Sequence, residues 1–308
     1  MNMETLKNCP VCNHDKLNPF LSCIDYTVSR ETFKIVQCAS CGFRFTNPRP
    51  EEKEIGKYYQ AEEYISHSDT RKGLVNKLYQ IVRNHTIKEK VKLINRLIPN
   101  SQPQAPSLLD IGCGTGEFLN ACKKDGWEIT GIEPSEIARK NAENKYGITP
   151  FVPERLFEIS EKKLNVITLW HVLEHVYQLD KTIEQISRIL ADDGILIVAL
   201  PNCDSFDARK YKECWAAWDL PRHIFHFTKK DIETLFKKYN FRIIEVLPMK
   251  FDSYYVSLLS EKYKNARLPN AQGSYNLLSG FWNGFKSNLL AGKNENGFSS
   301  QIYILKQN

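Results

Sequence analysis

With 308 residues the chain can form one large or two modest domains, and 42% hydrophobic and 25% charged content is that of an ordinary soluble globular protein. A formal net charge of +6 and a pI of about 8.7 fall short of the strongly basic balance that marks a nucleic-acid-binding domain. No apolar run approaches the roughly 18 residues of a membrane span, and Met1-Asn2-Met3-Glu4 begins no basic, apolar leader, so the expected compartment is the cytoplasm.

Four of the cysteines form two pairs, Cys9-Pro-Val-Cys12 and Cys38-Ala-Ser-Cys41, a pattern that intracellular proteins use for metal more often than for disulfides. Each pair makes a knuckle that points two thiolates inward, and two knuckles complete a tetrahedral S₄ site for Zn²⁺. Between them Thr32-Phe33-Lys34-Ile35-Val36-Gln37 alternates like a strand, and Gly42 suits the turn after the second knuckle. Residues 1–50 are therefore expected to form a zinc ribbon. Such a zinc is structural, because four thiolates leave no open coordination position, and in so small a segment the metal supplies much of the folding energy. Cys23 is expected to be a small core residue.

Phe45-Thr-Asn-Pro-Arg-Pro50 reads as a proline-punctuated linker, followed by a helix over 51–59. Tyr58, Tyr59, Tyr64 and His67 make the next stretch unusually aromatic, which suits either helix packing or contact with a substrate. Residues 74–97 show helical apolar spacing (Leu74, Leu78, Ile81, Val82, then Val91 and Ile94), giving one or two capping helices, and 99–106 is a linker. The span 51–105 is thus a helical cap.

At Ser107-Leu-Leu-Asp110-Ile-Gly112-Cys113-Gly114-Thr-Gly116 a short apolar run ends in an acid and three glycines follow at alternate positions. Helix formers then begin at Glu117. This is a buried strand, a tight turn and a helix start, as in a nucleotide-binding βαβ unit. Asp110 would repel a diphosphate and suits a ligand with a cationic or hydrogen-bond-donating part. The next strand, from Trp127 to Ile132, ends in Glu133, where a carboxylate can accept both hydroxyls of a ribose.

Further on, 135–146 is a helix and 148–152 a brief third strand. Residues 164–170 form a fourth strand, followed at once by His171-Val-Leu-Glu174-His175. Those letters match an inverted zinc-peptidase motif, but they begin where a strand ends rather than within one helix, so that reading is set aside. A helix over 182–190, a turn at 192–194 and a buried strand over 195–200 come next. The loop from Trp215 through Trp218, Arg222, His223 and His226 to Thr228 is dense in aromatic and titratable residues. It is the candidate substrate pocket, with packing against the ribbon or a dimer partner as the alternative. Thr228 N-caps a helix over 229–239. Strands at 241–247 and 300–305 are separated by an insertion of about 250–297 with helices over 254–263 and 277–290, which fits a lid, a dimer face or a membrane-surface helix, lid or dimer being preferred.

The glycine block from Asp110 to Gly116 and Gly131-Ile-Glu133-Pro134-Ser resemble the first and second motifs of the class I S-adenosylmethionine (SAM)-dependent methyltransferases. The resemblance implies an α/β fold over 106–308: a Rossmann-like, doubly wound, seven-stranded sheet with an antiparallel last strand. It implies that Gly112, Gly114 and Gly116 pass the methionine part of SAM, that Glu133 holds the ribose, and that Asp110, Cys113 and Pro134 line the same turn. Trp170 and His171 would border the methionine or adenosyl part, with His175 one turn on, and S-adenosylhomocysteine would be the product. The family's adenine contact is open between Glu154 and Glu158. The ribbon, the Asn-Pro-Arg-Pro linker and the Tyr-Tyr segment look like the leader of a bacterial subgroup of these enzymes, in which it lies over the substrate end.

A methyltransferase must bring a nucleophile in line with the methyl and take its proton where necessary. Histidine suits that task because its pKa lies near working pH. His223 is the first choice of general base, with His175 and His226 as alternates. The region Arg222-His223-Ile-Phe-His226 resembles, more loosely, deoxysugar C-methyltransferases with the same leader. Their tyrosine and glutamate are replaced here by Leu220 and Arg222, which counts against C-methylation and leaves O- or N-methyl transfer to a sugar nucleotide, surface-glycan precursor or similar small metabolite. The rivals are an RNA methyltransferase whose ribbon grips RNA and an inactive SAM-binding scaffold. Nucleic acid is disfavoured by the modest charge, and a homodimer is a candidate assembly.

Overall fold

The computed structural model describes residues 2–59, 74–98, 105–160, 164–267, 276–293 and 297–308. Tyr64, His67 and most of the 99–106 linker lie outside them, as do the side chains of Leu74 and Leu78.

The N-terminal part is built from strands β1 (Leu17–Ile24), β2 (Thr32–Cys38) and β3 (Arg44–Thr46). The span expected to hold one or two capping helices forms one, α1 (Leu74–Leu97), and residues Ile55–Tyr59 form a 3₁₀ turn rather than a full helix. The α/β part follows as β4 (Ser107–Ile111), α2 (Glu117–Lys124), β5 (Glu128–Ile132), α3 (Glu136–Tyr146), β6 (Leu164–Trp170), α4 (Leu179–Ile189) and β7 (Leu190–Pro201). The chain then runs through α5 (Phe206–Tyr211), β8 (Phe225–His226), α6 (Lys229–Lys237), β9 (Phe241–Pro248), α7 (Asp252–Ala266), α8 (Leu277–Ala291) and β10 (Ser300–Gln307).

Among the described residues the main sheet has six strands in the order β9-β10-β7-β6-β4-β5. Strands β5, β4, β6 and β7 run parallel to one another, while β10 inserts antiparallel between β7 and β9. The seventh strand expected at 148–152 is reduced to one bridge, Ile132 to Phe151. Pro150 and Pro153 flank it, and a proline cannot donate to a ladder. The turn expected at 192–194 is absorbed into β7 as a bulge, where the pairing steps from Leu164–Leu190 to Val166–Ile195.

Side-chain alternation along the strands feeds two cores. Leu109, Ile167, Leu169, Leu196 and Val198 pack under α4 and α6, while Leu108, Val166, Ile195 and Ile197 pack under α1 and α2. No described helix is long and apolar enough to cross a membrane.

The ribbon is stitched into the α/β part. Strand β8 adds to the ribbon sheet beside β3, giving the order β8-β3-β2-β1. Arg222, 1% exposed, donates from its guanidinium to Asp25 of the ribbon at 3.0 Å, to Asp219 at 2.7 Å and to the Tyr58 carbonyl at 2.8 Å. Arg222 is thus spent on holding two parts of the chain together. Trp215 and Trp218 are buried against Cys23, Phe33 and Tyr58. The aromatic half of the 215–228 loop therefore packs on the ribbon, and only its histidine edge is left for chemistry.

Candidate active site

Strand β4 delivers the glycine turn to the C-terminal edge of the sheet, where ligands bind in parallel α/β folds. Gly112, Gly114 and Gly116 take φ of +73°, +55° and +78°, left-handed values that favour glycine. A Cβ on Gly112 would stand 2.4 Å from Val172 Cγ2, whereas one on Gly114 would meet nothing within 4 Å. The first glycine is demanded by packing; the second faces open space. Glu133, at the end of β5, accepts from Gly114 N–H at 2.8 Å with one oxygen and from Ser135 N–H at 2.8 Å with the other. Burial pushes its pKa up against those two amides. Pro134 gives its carbonyl to Arg139, and the buried Cys113 fills the space beneath Gly131.

Asp110 is 2% exposed and accepts from Thr168 Oγ1 at 2.6 Å. Burial pushes its pKa up to about 7, although Thr168 and Lys90 favour the anion. Lys90, from α1, lays its ammonium 4.1 Å from the centre of the Trp170 ring. Burial draws Lys90 down to about 8, with Asp110 and Asp252 opposing. The Trp170 indole N–H is buried without a hydrogen-bond partner. Anion, indole face and spare donor together describe a place that attracts a cation and has a polar group to share. Sequence reasoning missed Lys90, one of many basic residues on its helix.

His171, at the end of β6, has φ +58° and sits between two carboxylates: Nδ1 is 3.5 Å from Glu174 and Nε2 is 3.1 Å from Asp252 of α7. Burial lowers its pKa, but the two acids outweigh burial and raise it to about 10. His171 is an imidazolium clamp that ties the insertion to the sheet edge.

A second group gathers beyond it. Glu174, His175 and His223 bring their ligand atoms within 4.8 Å of one another. His223 Nδ1 stands 2.9 Å from the Ala217 carbonyl and His175 Nδ1 2.9 Å from the Arg222 carbonyl. A carbonyl only accepts, so both Nδ1 atoms carry a proton, which leaves Nε2 of each ring as the atom that could take one up. The rings meet edge to face at 4.6 Å. The Tyr59 hydroxyl lies 2.9 Å from His175 Nδ1, placing that tyrosine at the site. Burial and neighbouring His223 draw His175 down to about 4, so it is neutral at working pH.

Glu174 is 1% exposed, and His171 Nδ1 at 3.5 Å is its ion-pair partner; among the described residues neither carboxylate oxygen has a closer hydrogen bond. Burial works to raise its pKa, but His171, His223 and His175 hold it below the usual carboxylate range. His223 Nε2 is 3.9 Å from Glu174 and 3.9 Å from Asp219, too far for a hydrogen bond and near enough to feel both charges. Glu174 had appeared in the sequence only as a letter of a discarded motif. His226 does not join this group. It is buried in β8 with Nε2 3.3 Å from Thr46 Oγ1 and its ring against Trp218, and burial drives its pKa well below the ordinary value. A ring sealed inside a sheet junction cannot take a proton from an acceptor, so His226 is withdrawn as an alternate base.

The four ribbon cysteines converge. Cys9 and Cys41 sulfurs are 3.6 Å apart, Cys12 and Cys38 sulfurs 3.5 Å apart, and all four lie within 4.8 Å of one another. Zinc–sulfur bonds of about 2.3 Å at tetrahedral angles give sulfur–sulfur edges of about 3.8 Å. The donor set and its spacing fit zinc.

A methyltransferase-domain family profile matches residues 82–246, more than half of the chain. The chain is 32% identical to a ubiquinone biosynthesis O-methyltransferase of Pelagibacter ubique over 160 residues, 49% of this chain and 65% of that protein. It is 34% identical to the enzyme of that name from Actinobacillus pleuropneumoniae over 107 residues, 31% of this chain and 45% of that protein. The chain therefore spans less than two thirds of either relative. Among solved structures, geranyl diphosphate C-methyltransferase from Streptomyces coelicolor superposes with a TM-score of 0.51 at 11% identity, covering 78% of this chain and 86% of that one, a likeness of fold alone. With the glycine turn, the mixed sheet and the profile in agreement, the chain belongs to the methyltransferase-domain family, as a class I SAM-dependent methyltransferase.

Proposed function

We propose that this enzyme methylates a small-molecule acceptor at oxygen or nitrogen, with His223 as general base and Glu174 as its charge partner. The observation that carries the reading is a His223 ring whose Nδ1–H is fixed on the Ala217 carbonyl, leaving Nε2 3.9 Å from the buried Glu174 carboxylate, which His171 also pairs. A base of this kind needs a fixed tautomer and an anion to stabilise the imidazolium it becomes. Tyr59 and His175 would line the acceptor's side.

SAM, when bound, supplies a methyl group already activated on a sulfonium. The residues fit it: Gly114 opens the turn, Glu133 retains acceptor capacity for two ribose hydroxyls, and Asp110 with Trp170 favours positive charge. Lys90 stands where that charge would come and would have to swing aside. Zinc would be held by Cys9, Cys12, Cys38 and Cys41 as a structural ion.

Calorimetry on zinc-replete protein tests the cofactor half. SAM and S-adenosylhomocysteine should both bind, and Glu133→Ala should weaken both by at least about tenfold, because a hydrogen bond to a charged group contributes roughly 1.5–3 kcal/mol. No uptake of either ligand by the unaltered protein would reject the reading.

Asp110 also predicts a pH dependence. Its carboxyl carries charge only above about pH 7, so affinity for the cationic donor should strengthen as pH rises through 7 and weaken below it. One linked proton limits the change to about tenfold per pH unit. In the unliganded protein the sign is opposite: a carboxyl raised from 3.8 to about 7 favours folding when protonated, and that contribution is lost as pH rises to 7. Titrations from pH 6 to 7, where Lys90 stays charged, should show the slope for SAM in the unaltered protein and lose it in Asp110→Asn.

A further inference from the structure

Helix α8 is amphipathic in the reverse of the usual sense. Its inward face carries Gly280, Asn283, Gly284, Ser287 and Ala291, all buried, at the spacing of one helix stripe. A Cβ on Gly280 would come within 2.9 Å of the Leu258 Cα, and one on Gly284 within 2.7 Å of the Tyr254 Cα, so α8 and α7 touch backbone to backbone. Polar pins fix that register. Glu261 of α7 accepts from Ser279 at 2.9 Å and Asn283 at 3.0 Å, and Ser287 donates to the buried Asp207 at 3.0 Å. Turning α8 over would break these bonds and drive large rings into a contact that only glycine fits.

The outward face is therefore fixed, and it is apolar. Leu278 is 86% exposed, Phe281 62% and Trp282 63%, with Leu277, Phe285 and Leu289 completing the stripe. Contiguous exposed apolar surface of this kind marks a docking face. The surrounding charge decides what docks. Among the described residues from 250 to 293 the two acids both turn inward, Asp252 onto His171 and Glu261 into the α7–α8 contact. The exposed charges are Lys250, Lys264, Arg267, Lys286 and Lys293, all basic. By helical spacing Lys286 borders the apolar stripe, and Lys293 follows in the turn at the end of the helix. A second copy of this face would set cation against cation, whereas an anionic surface complements it. Aromatic and leucine side chains edged with lysine are what a helix lying in a lipid interface presents.

We propose that the α7–α8 pair seats the enzyme on an anionic lipid bilayer, α8 flat in the interface with Phe281 and Trp282 inserted. Because Asp252, in the first turn of α7, holds His171 at the edge of the active site, the seated face is one helix away from the methyl-transfer centre. That position suits an acceptor presented at a membrane surface. The seating stands independently of which residue is the base.

Vesicle co-sedimentation with the full, zinc-loaded chain tests it. The protein should pellet with equimolar phosphatidylcholine–phosphatidylglycerol vesicles, bind pure phosphatidylcholine at least about tenfold more weakly, and be released by salt. Phe281→Asp with Trp282→Asp should abolish pelleting while SAM affinity and melting temperature stay at the unaltered values, and Lys286→Glu with Lys293→Glu should weaken it about tenfold or more. Absence of binding to anionic vesicles, or equal binding to neutral ones, overturns the proposal. So does a dimer in light scattering that the Phe281–Trp282 variant converts to a monomer, or a preference for bulk RNA over vesicles.

Discussion

His223→Ala is expected to leave SAM affinity unchanged and to lower methyl transfer by roughly 10²–10⁴-fold, the usual contribution of a positioned general base. The separation follows from geometry. Among the described residues, none that would hold the cofactor has His223 as a hydrogen-bond partner; its ring contacts there are Ala217, His175, Glu174 and Asp219. Its loss leaves an acceptor hydroxyl or ammonium with nowhere to place its proton. Glu174→Gln should give a smaller loss of the same kind, falling in kcat rather than KM, because the carboxylate acts on the imidazolium formed during the reaction and not on the bound acceptor. The measurement is labelled-methyl transfer across a panel of hydroxyl and amine acceptors, beside calorimetry with SAM. Unchanged transfer by His223→Ala would remove the histidine from the role.

The parts of this enzyme that were legible in the sequence are those fixed by local chemistry. Three glycines at alternate positions, an acid before them and another at the next strand end need only a short stretch of chain to declare a ligand turn. Two Cys-x-x-Cys pairs declare a metal site in the same way. The unread parts depend on contacts between distant segments. His223 and His226 look alike in the sequence, three residues apart, yet one opens to the site and the other is sealed by Thr46 and Trp218. Nothing local separates them, because the difference is made by the ribbon strand that pairs with β8. Glu174 carries no signal until His171, His175 and His223 surround it. The tryptophans of the same loop suggested a pocket and turned out to be the floor under the ribbon, since a loop rich in aromatics is equally suited to binding and to burial. The reversed helix α8 was visible as an apolar run, but its direction was not: which face turns out depends on two glycines finding the backbone of α7.

Removing the zinc should cost more than removing any single side chain, and the loss should reach the active site. Structural zinc in small Cys-rich units contributes an apparent 10–16 kcal/mol to their folding, so chelation, or Cys38→Ser, is expected to unfold the ribbon. The ribbon is not an appendage. Arg44–Thr46 pairs with Phe225–His226, and Thr46 Oγ1 donates to the His223 carbonyl at 2.8 Å. Asp25 takes one arm of Arg222, and Arg222 supplies the carbonyl that orients His175. Both histidines are thus held from the ribbon side, while the glycine turn and Glu133 are held by the sheet. Zinc loss should therefore lower turnover by at least the factor expected for His223→Ala and leave SAM affinity within about threefold of its starting value, a change under roughly 1 kcal/mol by the usual affinity arithmetic. Elemental analysis should find one zinc per chain, and the melting transition should move down or split on chelation. Removing bound metal with neither the melt nor the turnover affected would show that the ribbon folds without it and does not brace the histidines.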